Sequence, residues 1–156
     1  MSDKPEVRPI LVPVDFSSHS EAALVYAVHL AKCLQQPVQV LHVVHDPGTM
    51  PGYYSRALKK KQVHRIEDGA ADMLAEFLKD VVARHSHLEG LQDIQSMLVK
   101  GLPSSRILEV AKQEKAGLIV LGSKGVTGLK HLLIGSVAER VVHLAHVPVT
   151  VVKSAH

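Results

Sequence analysis

Short apolar runs alternate along this chain with stretches whose apolar residues recur every three or four positions. Residues 10–14 (ILVPV), 38–44 (VQVLHVV), 94–99 (IQSMLV, the weakest), 118–121 (LIVL) and 147–152 (VPVTVV) are brief and mostly β-branched or aliphatic, so they predict five strands. Four helical stretches lie between them. In the second, Ile66, Ala70, Met73, Phe77 and Val81 follow at steps of four, three, four and four, which puts them on one face. The first carries Leu24, Val28, Ala31 and Leu34 at similar spacing. Strand and helix in alternation imply parallel strands joined by right-handed crossovers. The predicted fold is therefore α/β, a doubly wound five-stranded parallel sheet with helices on both faces. Proline has no amide to give a ladder, so Pro13 is expected at the carboxyl end of its strand or at a non-bonding position. Pro148, by the same reasoning, makes the last strand an edge.

The length of 156 residues suits one compact core, and a single domain over residues 1–156 is expected. With three Tyr, two Phe and no Trp, the packing falls to Val, Leu, Ile and Ala, as in a buried parallel sheet. Residues 45–55 (HDPGTMPGYYS) hold two prolines and two glycines and predict a mobile loop, read either as a solvated connector or as a flap that brings Tyr53 or Tyr54 over a ligand. The net charge of +3 is spread along the chain, and its densest cluster, Lys59 to Lys61, falls short of a nucleic-acid stripe with interleaved aromatics. No nucleic-acid partner is expected. Nor is a membrane, since no apolar run approaches the roughly 20 residues that span a bilayer. The opening MSDKPEVRP has neither the apolar core of a signal peptide nor the character of a transit peptide, and the one cysteine, Cys33, excludes an internal disulfide. Cys33 lies in an Ala- and Leu-rich helical pattern and is expected to be a buried thiol. A soluble, cytoplasmic protein is the expectation.

The chemistry concentrates in residues 122–136 (GSKGVTGLKHLLIGS). Gly122, Gly125 and Gly135 let backbone N–H groups approach an anion with no Cβ in the way, and a helix beginning near Ser136 adds unpaired donors and a favourable dipole. The stretch reads as a phosphate cradle that includes Ser123 and Lys124. In a doubly wound sheet, ligands bind beyond the carboxyl ends of the strands, where the strand order reverses. Pro13, Val14 and Asp15 end the first strand there, and the Asp15 carboxylate can accept from a ribose hydroxyl pair. Alternatively Asp15 or Ser17 caps the first helix. Ser136 is expected as the N-cap of the last helix, in a capping box with Glu139, its hydroxyl serving either the helix or a phosphate oxygen. Lys124 and Lys130 either neutralise phosphate or are simply solvated. Backbone groups near Val43 and Val44 can meet an adenine edge.

Other signatures are missing. Gly117 and Gly122 have P-loop spacing, but Ser123-Lys124 reverses the required order and a strand lies between the glycines; GxGxxG is absent too. The histidine pairs His42/His45, His85/His87 and His143/His146 lack a cysteine cluster or HExxH helix and are read as surface residues, with no metal site expected. No GxSxG elbow or activated thiol suggests nucleophilic catalysis.

Three segments, VPVDFSSHSEAAL, LVKGLPSSRIL and LIVLGSKGVTGLKHLLIGSVAERVVHLAHVPVTVV, together resemble the universal stress protein family over nearly the whole chain. Gly122, Gly125, Gly135 and Ser136 match the Gly-x2-Gly-x9-Gly-Ser/Thr pattern of its ATP-binding branch. The resemblance implies strand order 3-2-1-4-5, Asp15 on the ribose, Val43 beside adenine, and Gly122, Gly125, Gly135, Ser136 and Val137 around the phosphates. It also implies a homodimer through the strand at 147–152. The function implied is that of an ATP-binding stress protein working through nucleotide-dependent conformation or partner binding, with Mg2+ accompanying the phosphates and at most slow hydrolysis, because no base for water is identified. The alternative is a homodimeric interaction module that works without nucleotide. Two positions depart from the family: many relatives carry Arg or another polar residue in place of Val126, and a smaller one in place of His146.

Overall fold

The computed structural model describes residues 6–45, 60–126 and 131–154. Among the described residues the elements in chain order are β1 (Ile10–Pro13), α1 (Ser18–Leu34), β2 (Val38–His45), α2 (Lys60–Arg84), β3 (Gln95–Gly101), α3 (Pro103–Gln113), β4 (Leu118–Gly122), α4 (Ser136–Leu144) and β5 (Val149–Val152), with a 3-10 turn at Leu91–Asp93 before β3. The five strands form one parallel sheet in the order β3-β2-β1-β4-β5. Both prolines fall where a missing amide does no harm: Pro13 ends β1, and Pro148 precedes the edge strand β5. Of the predicted loop at 45–55, all but His45 lies outside the described residues, as does Lys130.

Strand pleating sends successive side chains to opposite faces, and the core divides accordingly. Ile10, Val12, Val38, Val40 and Val120 pack on one face with α1 and α2, burying Leu24, Val28, Phe77 and Val81. Leu11, Leu41, Ile119 and Leu121 pack on the other with α3 and α4, burying Ile107, Val110 and Val141. The interior strands β1, β2 and β4 thus present apolar residues to both sides, which is why their sequence shows no polar alternation.

Two helices are turned slightly from the expected setting. α2 buries Ala70, Leu74, Phe77 and Val81, while Met73 is 54% and Ile66 41% exposed. Met73 stands about 60° round the helix from Ala70, and Leu74 about 40° the other way, so a stripe centred on Phe77 and Val81 takes the leucine. In α1 the expectation of a buried Cys33 is wrong: it is exposed, as is Leu34 beside it. Cys33 follows the buried Leu24 by nine residues, about 180° round the helix, so it faces away from the sheet.

Candidate functional site

The strand order reverses between β1 and β4, leaving a crevice past their carboxyl ends. A cavity of about 560 Å³ opens there, lined by Pro13, Val14, Asp15, Val43, Gly122, Ser123, Lys124, Gly125, Gly135, Ser136 and Val137. These are the residues read from the sequence as the site; Val44, also read beside adenine, is buried outside the lining, and Lys130 lies outside the described residues. The cavity volume is in the range of small-molecule sites, and its floor is apolar, with Leu41, Pro103, Ile107 and Leu121 added to the valines.

Asp15 sits in the turn from β1 to α1, and its carboxylate accepts three hydrogen bonds from the chain itself. Oδ1 accepts from the amide of Ser17 at 3.1 Å and from the Ser17 hydroxyl at 2.5 Å. Oδ2 accepts from the amide of Val126, in the glycine loop after β4, at 3.0 Å. Ser17 is the N-cap of α1, its Oγ accepting from the Ser20 amide at 3.2 Å, so the capping role falls to Ser17 and Asp15 steadies the cap from behind. The turn is completed by Phe16 at φ 68°, a left-handed conformation uncommon for an aromatic residue. Its ring stacks on His42 with centroids 4.3 Å apart and also meets Phe77 at 5.7 Å.

The glycines answer to different neighbours. A Cβ on Gly122 would stand 2.7 Å from the backbone carbon of His19, because the first turn of α1 packs against the end of β4. At Gly125 it would stand 2.6 Å from Oδ2 of Asp15. Gly122 therefore admits a helix and Gly125 admits the carboxylate. Gly135 returns the loop to the sheet, donating its amide to the Ser123 carbonyl at 2.6 Å, and Ser123 is itself buried and joined to β5 through its amide and the Val152 carbonyl at 2.9 Å.

One local expectation is corrected here. Ser136 is the first residue of α4 and not its N-cap; Gly135 holds the cap position and makes no side-chain cap bond. Glu139 donates its amide to the Gly135 carbonyl, so the capping box is out of register by one residue. The consequence favours a ligand, since the Ser136 hydroxyl is not spent on capping and the first amides of α4 face a cavity.

His42 is the residue that the sequence reading misplaced. Read as a surface histidine, it is half-buried in the cavity wall, with Nδ1 2.7 Å from the Val14 carbonyl. The carbonyl only accepts, so Nδ1 carries the proton. A polar residue inside the apolar run VQVLHVV was the available signal. Among the other histidines, His45, His87, His143 and His146 are exposed, and His85 bonds Glu21 at 3.0 Å. That carboxylate also takes a bidentate pair from Arg84, at 2.9 and 2.7 Å, which ties α1 to the end of α2. The Arg84 guanidinium bonded to Glu21 holds its carboxyl below the usual range, against a smaller opposing effect of burial. No group of three or more His, Cys, Asp or Glu among the described residues could hold a metal ion. Nor is any described helix long and apolar enough to cross a membrane.

Residues 6–153 match the sequence profile described as the universal stress protein family. Universal stress protein MJ0531 of Methanocaldococcus jannaschii is 33% identical over 153 residues, covering 94% of this chain and 82% of the relative. In three dimensions, universal stress protein UspA from Lactobacillus plantarum superposes with a TM-score of 0.75 at 27% identity, covering 93% of this chain and 97% of that one. Two further structures share the fold at 23% identity: a universal stress protein in complex with cAMP, with a TM-score of 0.59 over 96% of this chain and 98% of that one, and one from Archaeoglobus fulgidus in complex with dAMP, with a TM-score of 0.61 over 92% and 96%. Profile, sequence relatives and strand order agree, and the chain belongs to the universal stress protein family.

Proposed function

We propose that this chain binds an adenine nucleotide, ATP, in the cavity between β1 and β4, and acts in the stress response through the conformation that the nucleotide imposes or the partner it recruits. The observation that carries this reading is that Asp15, Gly122, Gly125, Gly135 and Ser136 all line one cavity with an apolar floor. Base and sugar take the floor side, between Val43 and Asp15. The phosphates take the loop side, where the amides at the start of α4, the Ser136 hydroxyl and Lys124 converge. The cAMP and dAMP complexes show adenine nucleotides bound to proteins of this fold; at 23% identity they carry the fold to this chain, and the ligand is argued from the residues here. Mg2+ arrives on the phosphates, held by their oxygens and by water. Among the described residues Asp15 is the one carboxylate in the cavity lining, and its oxygens already accept three hydrogen bonds, from Ser17 (amide and hydroxyl) and Val126, which suits binding with at most slow hydrolysis. Purified protein, denatured and cleared, is expected to release adenine nucleotide into the supernatant, and calorimetric titration of the emptied protein to show ATP binding. An empty supernatant together with a flat titration refutes the proposal.

The second reading, a module that works without nucleotide, is favoured by one observation: the loop already closes on Asp15 through the Val126 amide. Under either reading we propose a homodimer in the cytoplasm, one domain per chain, paired through the edge at 147–152. The four residues of β5 are all half-exposed in the single chain, and pairing with a second copy covers an open apolar edge. Sedimentation equilibrium reads this directly, a monomer at micromolar concentration being the contrary result.

A further inference from the structure

We propose that Val126 sets how the site discriminates ribose from deoxyribose, because its own amide occupies an acceptor position on Asp15 that a sugar diol needs. This assignment rests on the adenine-nucleotide reading above and deepens it.

A carboxylate offers about four acceptor positions, two on each oxygen. On Asp15, Oδ1 is filled by the amide and hydroxyl of Ser17, and Oδ2 holds the Val126 amide at 3.0 Å, so about one position is open. Ribose brings two neighbouring hydroxyls and 2'-deoxyribose one. The first hydroxyl finds the open position. A second has to displace a donor already in place.

The donors are not equally easy to displace. The Ser17 hydroxyl simultaneously caps α1 by accepting from Ser20, and removing it would undo the helix start. The Val126 amide belongs to a residue 72% exposed, so once released it hydrogen-bonds to water. The second hydroxyl therefore exchanges one hydrogen bond on a charged acceptor for another and gains little. Wild-type protein then distinguishes ATP from dATP only weakly. The absent side chain at Gly125 is what allows this competition, since a Cβ there would meet Oδ2 at 2.6 Å and push the loop from the carboxylate. Val126 acts through its backbone, and its side chain takes no part in the contact.

The test is Val126→Pro, which deletes the N–H and nothing else from the contact. Val126 has no positive φ, and glycine at 125 lightens the restraint that proline puts on its predecessor. ATP and dATP are titrated calorimetrically into wild type and V126P. The ratio of their dissociation constants is expected to shift about tenfold towards ATP in the variant, as the second hydroxyl now finds a free charged acceptor. An unchanged ratio, with both nucleotides still bound, overturns this assignment and leaves the nucleotide reading intact; failure of wild type to bind either nucleotide overturns both. A measurement on the unaltered protein guards against a variant that does not fold: in 15N-valine-labelled wild type, ATP is expected to shift the Val126 amide resonance from its carboxylate-bonded position while dATP leaves it in place, and equal shifts with both count against the proposal.

Discussion

Adding one methyl group at Gly122 and at Gly125 in turn separates the two demands made on the glycine loop. At Gly122 the new Cβ would lie 2.7 and 2.8 Å from the carbon and oxygen of the His19 peptide and 2.9 Å from its Cβ. Backbone in the first turn of α1 cannot swing aside, so the helix start must shift, at the cost of overpacking, about 1 to 3 kcal/mol. For a chain of this length that lowers Tm by about 2 to 4 °C per kcal/mol. At Gly125 the contact is the end of a carboxylate, 2.6 Å away, with the Asp15 carbon at 3.9 Å. The exposed loop can give way there, which sacrifices the bond from Val126 to Asp15, about 1 kcal/mol for a charge-assisted contact, and leaves the Ser17 bonds in place. Its damage falls on the site, because the loop proposed to hold the phosphates has moved away from the carboxylate proposed to meet the ribose. Gly122→Ala is therefore expected to lose stability more than ATP affinity, and Gly125→Ala to lose about tenfold in affinity with a Tm near that of wild type. Urea unfolding and calorimetric titration on the same preparations read both quantities. Equal losses of stability and affinity in the two variants would mean that the loop responds as one unit, and the separate assignments of Gly122 to helix packing and Gly125 to the carboxylate would fall.

Three further outcomes follow from side chains outside the loop. Glu21, lowered from its ordinary value of 4.5 chiefly by its hydrogen bonds from Arg84, stabilises the fold above that pH and loses the contribution as pH falls through its lowered value. Glu21→Gln should thus cost about 0.5 to 1 kcal/mol at pH 7 in urea unfolding and converge with wild type in acid, a constant difference across pH being the contrary result. His42→Phe keeps a ring against Phe16 but leaves the Val14 carbonyl without its side-chain donor, for an expected loss of about 1 to 2 kcal/mol by the same assay; a neutral substitution would mean that the 2.7 Å contact contributes nothing. Cys33, exposed on the outer side of α1, should react with a thiol reagent in the native protein as fast as a free thiol, and protection until unfolding would refute its placement.

Strand number and parallel pairing were legible because each rests on strong, local signals, whereas the strand order was what the family resemblance implied. Alternating runs specify parallel strands, and the reversal of order between β1 and β4 then puts the residues after both strands in one crevice. The choices of Leu74 over Met73 and of Ser17 over Asp15 as cap depend on rotations of tens of degrees and on one-residue registers that tertiary packing decides. The same holds at α4, where S-x-x-E has the composition of a capping box yet the helix begins one residue earlier than that pattern requires. His42 was obscured for another reason. Its partner is a backbone carbonyl on the neighbouring strand, 28 residues away, and nothing in the spacing of side chains records where a carbonyl points.

The glycine pattern itself carries less information about phosphate than its spacing suggests. Gly122 is required by the packing of α1 and Gly125 by the approach of Asp15, and both requirements hold for the chain by itself. A sequence that kept these glycines to fold would look the same as one that kept them to bind. What separates the cases is the state of the acceptors and donors that the glycines bring together. Asp15 has about one acceptor position left open by its own chain, so a second ribose hydroxyl contributes little net binding, and most of the driving force must come from the apolar floor and from phosphate on the start of α4. At that helix start Gly135 supplies no side chain and the Ser136 hydroxyl is not a cap, so its amides retain unmet donor capacity facing the cavity. The discriminating feature is therefore the uncapped start of α4, which lines the same cavity as a carboxylate that already accepts three hydrogen bonds from its own chain.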